Sequence, residues 1–482
     1  MIIKSRCFVK TMNTNILNRD TICAIATPHG MGAIAVIRVS GYDALPIVSQ
    51  LFMQNGKPFD MGKMVANKAY YGHIVDSDEL LDEVLVTFFR APHSFTGEDS
   101  AEISVHGSVF IQQKLLHILI SRGCRMAEAG EFTRRAFVNR KFDLAQAEAI
   151  ADLISSESEA AHRVAINQLK GGFSKELQVM RSKLLEMTSL MELELDFSEE
   201  DVEFADRSQL KALLQETLAH VDKLKDSFRL GNAIKNGIPV AIVGQTNTGK
   251  STLLNALLGE DRAIVSDIAG TTRDTIEETL NINGMLYRFI DTAGLRNTDE
   301  TIEKIGIERS YKKIQEATLV IGMLDATKGA ENVLFAAKEI LEKMDLEHQQ
   351  LILCINKVDT LDDQGEALLG QVRQDLDNDD IMVVCLSAKH HFGLNDLYNT
   401  LKYCQPLASP DATLVTNVRH YEALLHASES LKSVQQGLKM NIPTDLVSQD
   451  LREALHYLGS ITGEITTDEV LGNIFSRFCV GK

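Results

Sequence analysis

Apolar positions along the chain fall into distinct regimes. From Asp20 to about Lys141, short β-type runs such as Ile34-Ala35-Val36-Ile37 and Glu83 to Phe89 alternate with turns rich in Gly and Pro, which predicts one α+β domain. From about Phe142 to Lys235 there is no proline, and apolar residues recur at helical spacing among Ala, Leu, Glu, Gln and Met, which predicts long helices. From Gly237 to about Gln405 the continuous runs Pro239 to Val243, Leu319 to Leu324, Leu351 to Ile355 and Ile381 to Leu386 read as buried parallel strands of an α/β domain. Beyond Pro406 the pattern is helical again. The expected organisation is an extension (1–19), an N-terminal domain (20–141), a helical domain split into 142–235 and 406–482, and an α/β domain inserted at 236–405.

Length and composition narrow the function. A chain of 482 residues holds about three domains. Lys+Arg 49 against Asp+Glu 67 gives a net charge of −18, so an RNA partner has to meet a local basic patch against an opposing field. Arg134, Arg135 and Arg140 are candidates for that patch, and equally for helix-surface salt bridges. The seven cysteines are scattered, with no C-x-x-C pair, which favours reduced thiols in a cytoplasmic setting over disulfides or a zinc knuckle. No apolar run nears the ~20 residues of a membrane span. The basic segment before Asp20 reads as an unstructured extension, or as a start upstream of Met12, in preference to a transit peptide. Nine acids between Lys183 and Arg207 read as a solvated helix end, with metal binding as the alternative.

The chemistry concentrates in the inserted domain. Gly244-Gln245-Thr246-Asn247-Thr248-Gly249-Lys250-Ser251 fits the phosphate-loop pattern between a strand and the helical run Thr252 to Leu258. Backbone N–H groups at such a helix start wrap phosphate oxygens, Lys250 supplies charge to the terminal phosphates, and Ser251 offers a hydroxyl to Mg²⁺. Asp291-Thr292-Ala293-Gly294 follows a strand ending at Ile290, where a carboxylate holds the magnesium water and a glycine N–H senses the γ-phosphate. Asn356-Lys357-Val358-Asp359 follows another strand, and the Asp359 carboxylate can accept from both guanine donors. Ser387-Ala388-Lys389 closes the base pocket. The ligand these motifs specify is GTP.

The first switch is expected at Ser266-Asp267-Ile268-Ala269-Gly270-Thr271-Thr272, with Thr272 as the second hydroxyl for Mg²⁺. Leu295 stands where a water-orienting glutamine is found in Ras-like enzymes, so another residue has to serve; Glu303 is the carboxylate expected to do so, against the bland reading of a helix-start glutamate. Asn247 could coordinate a monovalent cation beside the phosphates, where an arginine finger otherwise sits.

These residues, together with Gly130-Glu131-Phe132-Thr133-Arg134-Arg135-Ala136-Phe137, Lys141 to Ala149 and the terminal Cys479-Val480-Gly481-Lys482, resemble the MnmE (TrmE) family of tRNA-modification GTPases from Asp20 to the end of the chain. The resemblance implies a multidomain fold: an N-terminal α+β folate-binding domain that mediates homodimerisation, a split all-α helical domain, and an inserted α/β Ras-like G domain with a P-loop. It implies K⁺-stimulated GTP hydrolysis and an FAD-dependent MnmG partner, with which the family adds an aminomethyl-type group to the 5-position of the tRNA wobble uridine. It carries K⁺ ligands onto Asn247, Ser266, Ile268 and Thr271, Mg²⁺ ligands onto Ser251 and Thr272, and the catalytic carboxylate onto Glu303. It places a 5-formyl- or methylene-tetrahydrofolate on Arg38, Glu102, Lys141 and Lys482. Cys479 is a reactive thiol near the folate or a merely buried cysteine. Thr246 and Ser266 depart from the family's usual proline and threonine. A ribosome-assembly switch of the Era or Der kind is the alternative, and it would need an RNA-binding module or a second G domain after the first.

Overall fold

The computed structural model describes residues 20–77, 79–196, 207–259, 278–290, 314–346, 348–363, 365–376, 378, 380–405, 412–440, 442–476 and 478–481, without the side chains of 190, 192–196, 207–209, 444 and 468. The chain splits into two compact units, Met1–Ala151 with Gly459–Lys482, and Asp152–Leu458.

The first unit is built on an eight-stranded sheet of β1 (Thr21–Ile25), β2 (Ile34–Ser40), β3 (Phe52–Gln54), β4 (Lys57–Pro58), β5 (Ala69–Asp76), β6 (Glu79–Phe89), β7 (Ser100–His106) and β8 (Cys124–Met126). Its spatial order is β4-β3-β5-β6-β7-β2-β1-β8, antiparallel except for β1 with β8. Alternate residues of β6 are buried, as a strand covered on one face requires: Val84, Val86 and Phe88 join Leu45, Val48 and Leu51 of helix Ala44–Leu51 and Leu115, Ile118 and Leu119 of helix Val109–Ser121 in one core. Phe132 of helix Glu131–Val138 packs on Ile22 and Ala24 in a smaller cluster. Helix Asp468–Phe475 delivers Leu471 and Phe475 onto Leu144 and Ala147, and beyond it Val480 pairs with Ala129.

The second unit holds a six-stranded sheet of β9 (Ile238–Val243), β10 (Glu278–Ile282), β11 (Met285–Phe289), β12 (Leu319–Asp325), β13 (Gln350–Asn356) and β14 (Met382–Cys385), in the order β10-β11-β9-β12-β13-β14. All neighbours are parallel except the β10–β11 hairpin. Every residue of β12 is buried because helices cover both faces: Lys250–Leu258 and Leu394–Tyr403 on one, Ala330–Leu341 and Glu366–Leu376 on the other. Helices Glu159–Leu169, Gly172–Asp196, Arg207–Asp226 and Phe228–Asn236 precede this domain, and Val418–Met440 and Thr444–Thr462 follow it. The two flanks meet where Ser428 donates to Asp222 Oδ1 at 2.7 Å and Gln168 donates to the Leu414 carbonyl at 3.1 Å. Among the described residues, no helix is long and apolar enough to cross a membrane.

Candidate nucleotide and ligand sites

The carboxyl ends of β9, β12, β13 and β14 open onto one edge of the parallel sheet, where a doubly wound fold places its ligand. Gly244 leaves β9 and helix Lys250–Leu258 begins six residues later, so the loop's N–H groups converge on the positive end of a helix. Gly249 caps that helix at φ 100°, and a Cβ there would lie 2.2 Å from Asn356 Nδ2. No other residue type fits. Lys250 Nζ lies over the loop, donating to the carbonyls of Gly244 (2.9 Å) and Gln245 (2.8 Å). Ser251 is the second residue of the helix, and Asn247 stands exposed on the loop at φ 61°.

Asn356 joins the phosphate loop to the base-side loop. Its Nδ2 donates to the Thr248 carbonyl at 2.7 Å and its Oδ1 accepts from Ala388 N at 3.0 Å, all three residues being buried. Lys357, at φ 66°, pairs with Asp325 Oδ2 at 2.7 Å, and Thr327 donates to Asp325 Oδ1 through both its N–H and its hydroxyl. Burial raises the Asp325 pKa, but Lys357 and Thr327 outweigh it, so the carboxyl titrates below the ordinary aspartate range. The exposed Asp359 carboxyl is also held low, first by the Ser387 hydroxyl and then by His390 and Lys389. It is therefore an ionised acceptor beside the base pocket, as recognition of guanine's paired donors requires.

A second constellation lies on the N-terminal sheet. Arg38 and Glu102 are cross-strand partners on β2 and β7, joined through Nε at 3.0 Å and a terminal nitrogen at 2.9 Å. The guanidinium stacks 4.8 Å from the Phe95 ring centroid and 5.6 Å from that of Phe132. Phe95 also faces Phe142, and the preceding residue, Lys141, donates to the Pro92 carbonyl at 2.9 Å, so three residues distant in sequence share one neighbourhood. Exposed Cys479 is tethered nearby in the chain path: its carbonyl accepts from Gly130 N at 3.4 Å, two residues before Phe132.

Comparison with known proteins decides the family. Residues 21–141 match the family model for the GTP-binding protein TrmE N-terminus and residues 144–479 match that for the MnmE helical domain. The tRNA modification GTPase MnmE of Bacteroides fragilis is 51% identical over 473 residues, covering 97% of this chain and 100% of the relative. That of Porphyromonas gingivalis is 50% identical over 469 residues, covering 96% and 98%. The chain belongs to the MnmE family. Among solved structures, a point variant of Aquifex aeolicus Era bound to GDP.AlF4- is similar at 27% identity and a TM-score of 0.28, covering 40% of this chain and 66% of that one. The G domain of the T. maritima FeoB iron transporter follows at 28% identity and 0.25, covering 35% and 99%.

With the MnmE family established, the expected nucleotide-site residues, taken with Lys482, divide in two. Gly244, Asn247, Thr248, Gly249, Lys250, Ser251, Thr252, Asn356, Lys357, Asp359, Ser387, Ala388 and Lys389 all lie at the carboxyl edge of the G-domain sheet. Ser266, Asp267, Ile268, Ala269, Gly270, Thr271, Thr272, Asp291, Thr292, Ala293, Gly294, Glu303 and Lys482 lie outside the described residues. Asp325, Phe95 and Phe132 were missed. Asp325 had a signal, an acid ending a fully apolar strand; the two phenylalanines had none, because only the fold brings them to Arg38.

Arg135 is no surface residue. It is 5% exposed and bound to Asp20 Oδ1 (2.8 Å), Glu98 (3.3 Å) and Glu131 (2.9 Å), while Arg125 adds bonds to Asp20 and Glu131. Burial works to raise the Glu131 pKa, but Arg125, the Glu128 N–H and Arg135 together hold it down at about 2. For Arg135 the salt-bridge reading holds, with the pairs buried in a network that fixes helix Glu131–Val138 and with it Phe132.

Proposed function

We propose that this protein is a cytoplasmic, homodimeric, K⁺-stimulated GTP hydrolase that acts with an FAD-dependent MnmG-like partner. Together they carry out folate-dependent addition of an aminomethyl-type group to the 5-position of the tRNA wobble uridine. Membership of the MnmE family supports the tRNA reaction, and the Asn356 clamp between phosphate loop and base loop is the observation that carries the GTP reading. In this reading the phosphate loop and Lys250 bind the triphosphate, Asp359 selects guanine, and Glu303 holds the water that attacks the γ-phosphorus as GDP leaves.

Mg²⁺ is bound mainly through phosphates and waters, with Ser251 and Thr272 as its protein hydroxyls. The carboxamide of Asn247, with Ser266, Ile268 and Thr271, supplies oxygen ligands for K⁺, whose charge would take the place of an arginine finger. Arg38, Glu102 and Lys141 of the N-terminal domain (20–141), with Lys482 at the end of the chain, hold the folate. Both Arg38 bonds fall on Glu102 Oε1, which leaves Oε2 to accept from a pterin amino edge, and Phe95 offers an aromatic wall. Cys479 contributes a thiol on the same tail as Lys482. The helical domain is assigned residues 142–235 and 406–482, and the G domain 236–405.

Steady-state GTP hydrolysis in matched KCl and NaCl tests the reading. Selective stimulation by K⁺ of about tenfold or more is expected from a cation standing in for an arginine finger. Equal turnover in the two salts removes the K⁺ site, and no turnover in either removes the hydrolase.

A further inference from the structure

The β10–β11 hairpin connects the two expected switches: Thr272 lies six residues before Glu278, and Asp291 two residues after Phe289. Its closed end is the turn Asn283-Gly284 between paired Ile282 and Met285. With φ of 52° and 79°, this is the left-handed two-residue turn that Asn-Gly favours. Pairing to β9 covers only Tyr287, Arg288 and Phe289, and beyond it the G domain holds the turn end through Gln405 Nε2, which donates to the Ile282 carbonyl at 2.8 Å.

That end is also held by the helical layer. The Gly284 carbonyl accepts from Ala160 N at 3.1 Å, and Asn281 Nδ2 donates to the Glu157 carbonyl at 3.3 Å. Asn281 Oδ1 accepts from Gly284 N at 3.1 Å, fixing the turn that makes these bonds. Helix Glu159–Leu169 starts with N–H groups that have no partner inside the helix. Ser158 caps one of them, Ala161 N at 3.1 Å, and the hairpin turn caps a second, Ala160 N. The contact is apolar as well, since Ala160 packs in one cluster with Leu280, Ile282, Met285 and Tyr287. A Cβ on Gly284 would stand 3.3 Å from Glu159 Cβ, so the approach leaves no slack.

We propose that Asn281 and Gly284 are coupling residues through which the nucleotide state of the switches reaches helix Glu159–Leu169. A five-residue strand pair is a rigid bar about 16 Å long. A displacement at its switch end moves its turn, and the turn is part of the helix cap. Packed elements of this kind shift between discrete arrangements and do not deform smoothly. The proposal rests on the reading that the site binds GTP and GDP.

The test is amide hydrogen exchange over Glu159–Leu169 in the full-length protein, saturated with GDP or with a non-hydrolysable GTP analogue. In the wild type, exchange at Ala160 and Ala161 differs between the two states by about tenfold. Asn281→Asp keeps the acceptor for Gly284 N but sets a carboxylate against the Glu157 carbonyl. In that variant the difference falls below about twofold, while affinity for both nucleotides stays within about twofold of wild type. Asn281→Ala, which loses both bonds, behaves alike. Equal exchange in the two wild-type states, or a wild-type difference retained in Asn281→Asp, overturns the proposal. Fluorescence titration with labelled GDP separates this from failure of the underlying reading: a protein that binds no guanine nucleotide overturns that reading, and the coupling with it.

Discussion

The G-domain site and the Arg38 constellation, which we propose holds a folate, gather their polar groups by different means. In the G domain the anchors are backbone groups on contiguous loops at one sheet edge, and the decisive side chain, Asn356, bonds to the Thr248 carbonyl and the Ala388 N–H. On the N-terminal sheet the anchors are side chains paired across strands, Arg38 with Glu102, steadied by rings from two further segments. The first arrangement is written locally in sequence; the second exists only once the sheet has folded. A loop of backbone donors tolerates change in its exposed side chains, whereas a side-chain constellation depends on the elements that aim it.

The sharpest break of this contrast is at Glu131, whose ion pairs hold the helix that carries Phe132 to Arg38. Glu131→Ala takes a buried carboxylate away from buried Arg135, which keeps Asp20 and Glu98, and from partly exposed Arg125, and a loss of about 3 kcal/mol is expected. Thermal unfolding should show the loss, while GTP affinity, carried by the other unit, stays at its wild-type value. A fall in both would mean that the two sites are not built independently. Its pH dependence has a fixed sign: a carboxyl depressed to about 2 contributes stability that is complete above the ordinary glutamate value of 4.5 and is lost as pH falls toward 2. Glu131→Gln flattens that window.

Asn356→Ala comes next. It strands the Thr248 carbonyl and the Ala388 N–H in a buried site, at about 2 kcal/mol or more, so GTP affinity should fall by about thirtyfold while folate binding is unchanged. Isothermal titration with each ligand checks both halves. A fall of less than threefold would show that the loops hold their places without the clamp.

Legibility from sequence follows the same division. The phosphate loop, Asn356 to Asp359 and Ser387 to Lys389 were readable because each motif sits at the end of an apolar run, and the runs became β9, β13 and β14 within one or two residues. Of the two readings open for Arg135, the salt-bridge one holds, but its burial is not legible: Glu131 is visible one helical turn away, whereas nothing in the sequence shows that Asp20 and Glu98 converge on it from distant segments. Phe95 and Phe132 were invisible for the same reason, their meaning being their distance to Arg38. Arg38→Ala measures that part of the constellation. It removes two charge-assisted bonds to Glu102 and the stacking on Phe95, and about a tenfold loss of affinity for 5-formyl-tetrahydrofolate is expected, with GTP hydrolysis intact. Unchanged folate affinity would move that ligand elsewhere.

The smallest expected effect separates recognition from support within the G domain itself. Lys357 is one residue from the Asn356 clamp, yet its ammonium points to Asp325 at 2.7 Å, on the strand next door. Asp325 is buried but Lys357 is partly exposed, and Thr327 still bonds the carboxylate, so Lys357→Met should cost only about 1 kcal/mol of stability. It should also let the Asp325 pKa climb, because burial then opposes ionisation with only Thr327 to offset it. In the wild type the depressed carboxyl adds stability that is complete above the ordinary aspartate value of 3.8 and disappears as pH drops through its lower folded value. The variant loses that increment, so its stability curve below pH 4 should be the flatter of the two, and carboxyl chemical shifts followed by NMR give the pKa directly. If the Asp325 titration does not move, Thr327 alone holds the carboxylate, and the lysine's place in the motif is explained by the nucleotide and not by the strand edge.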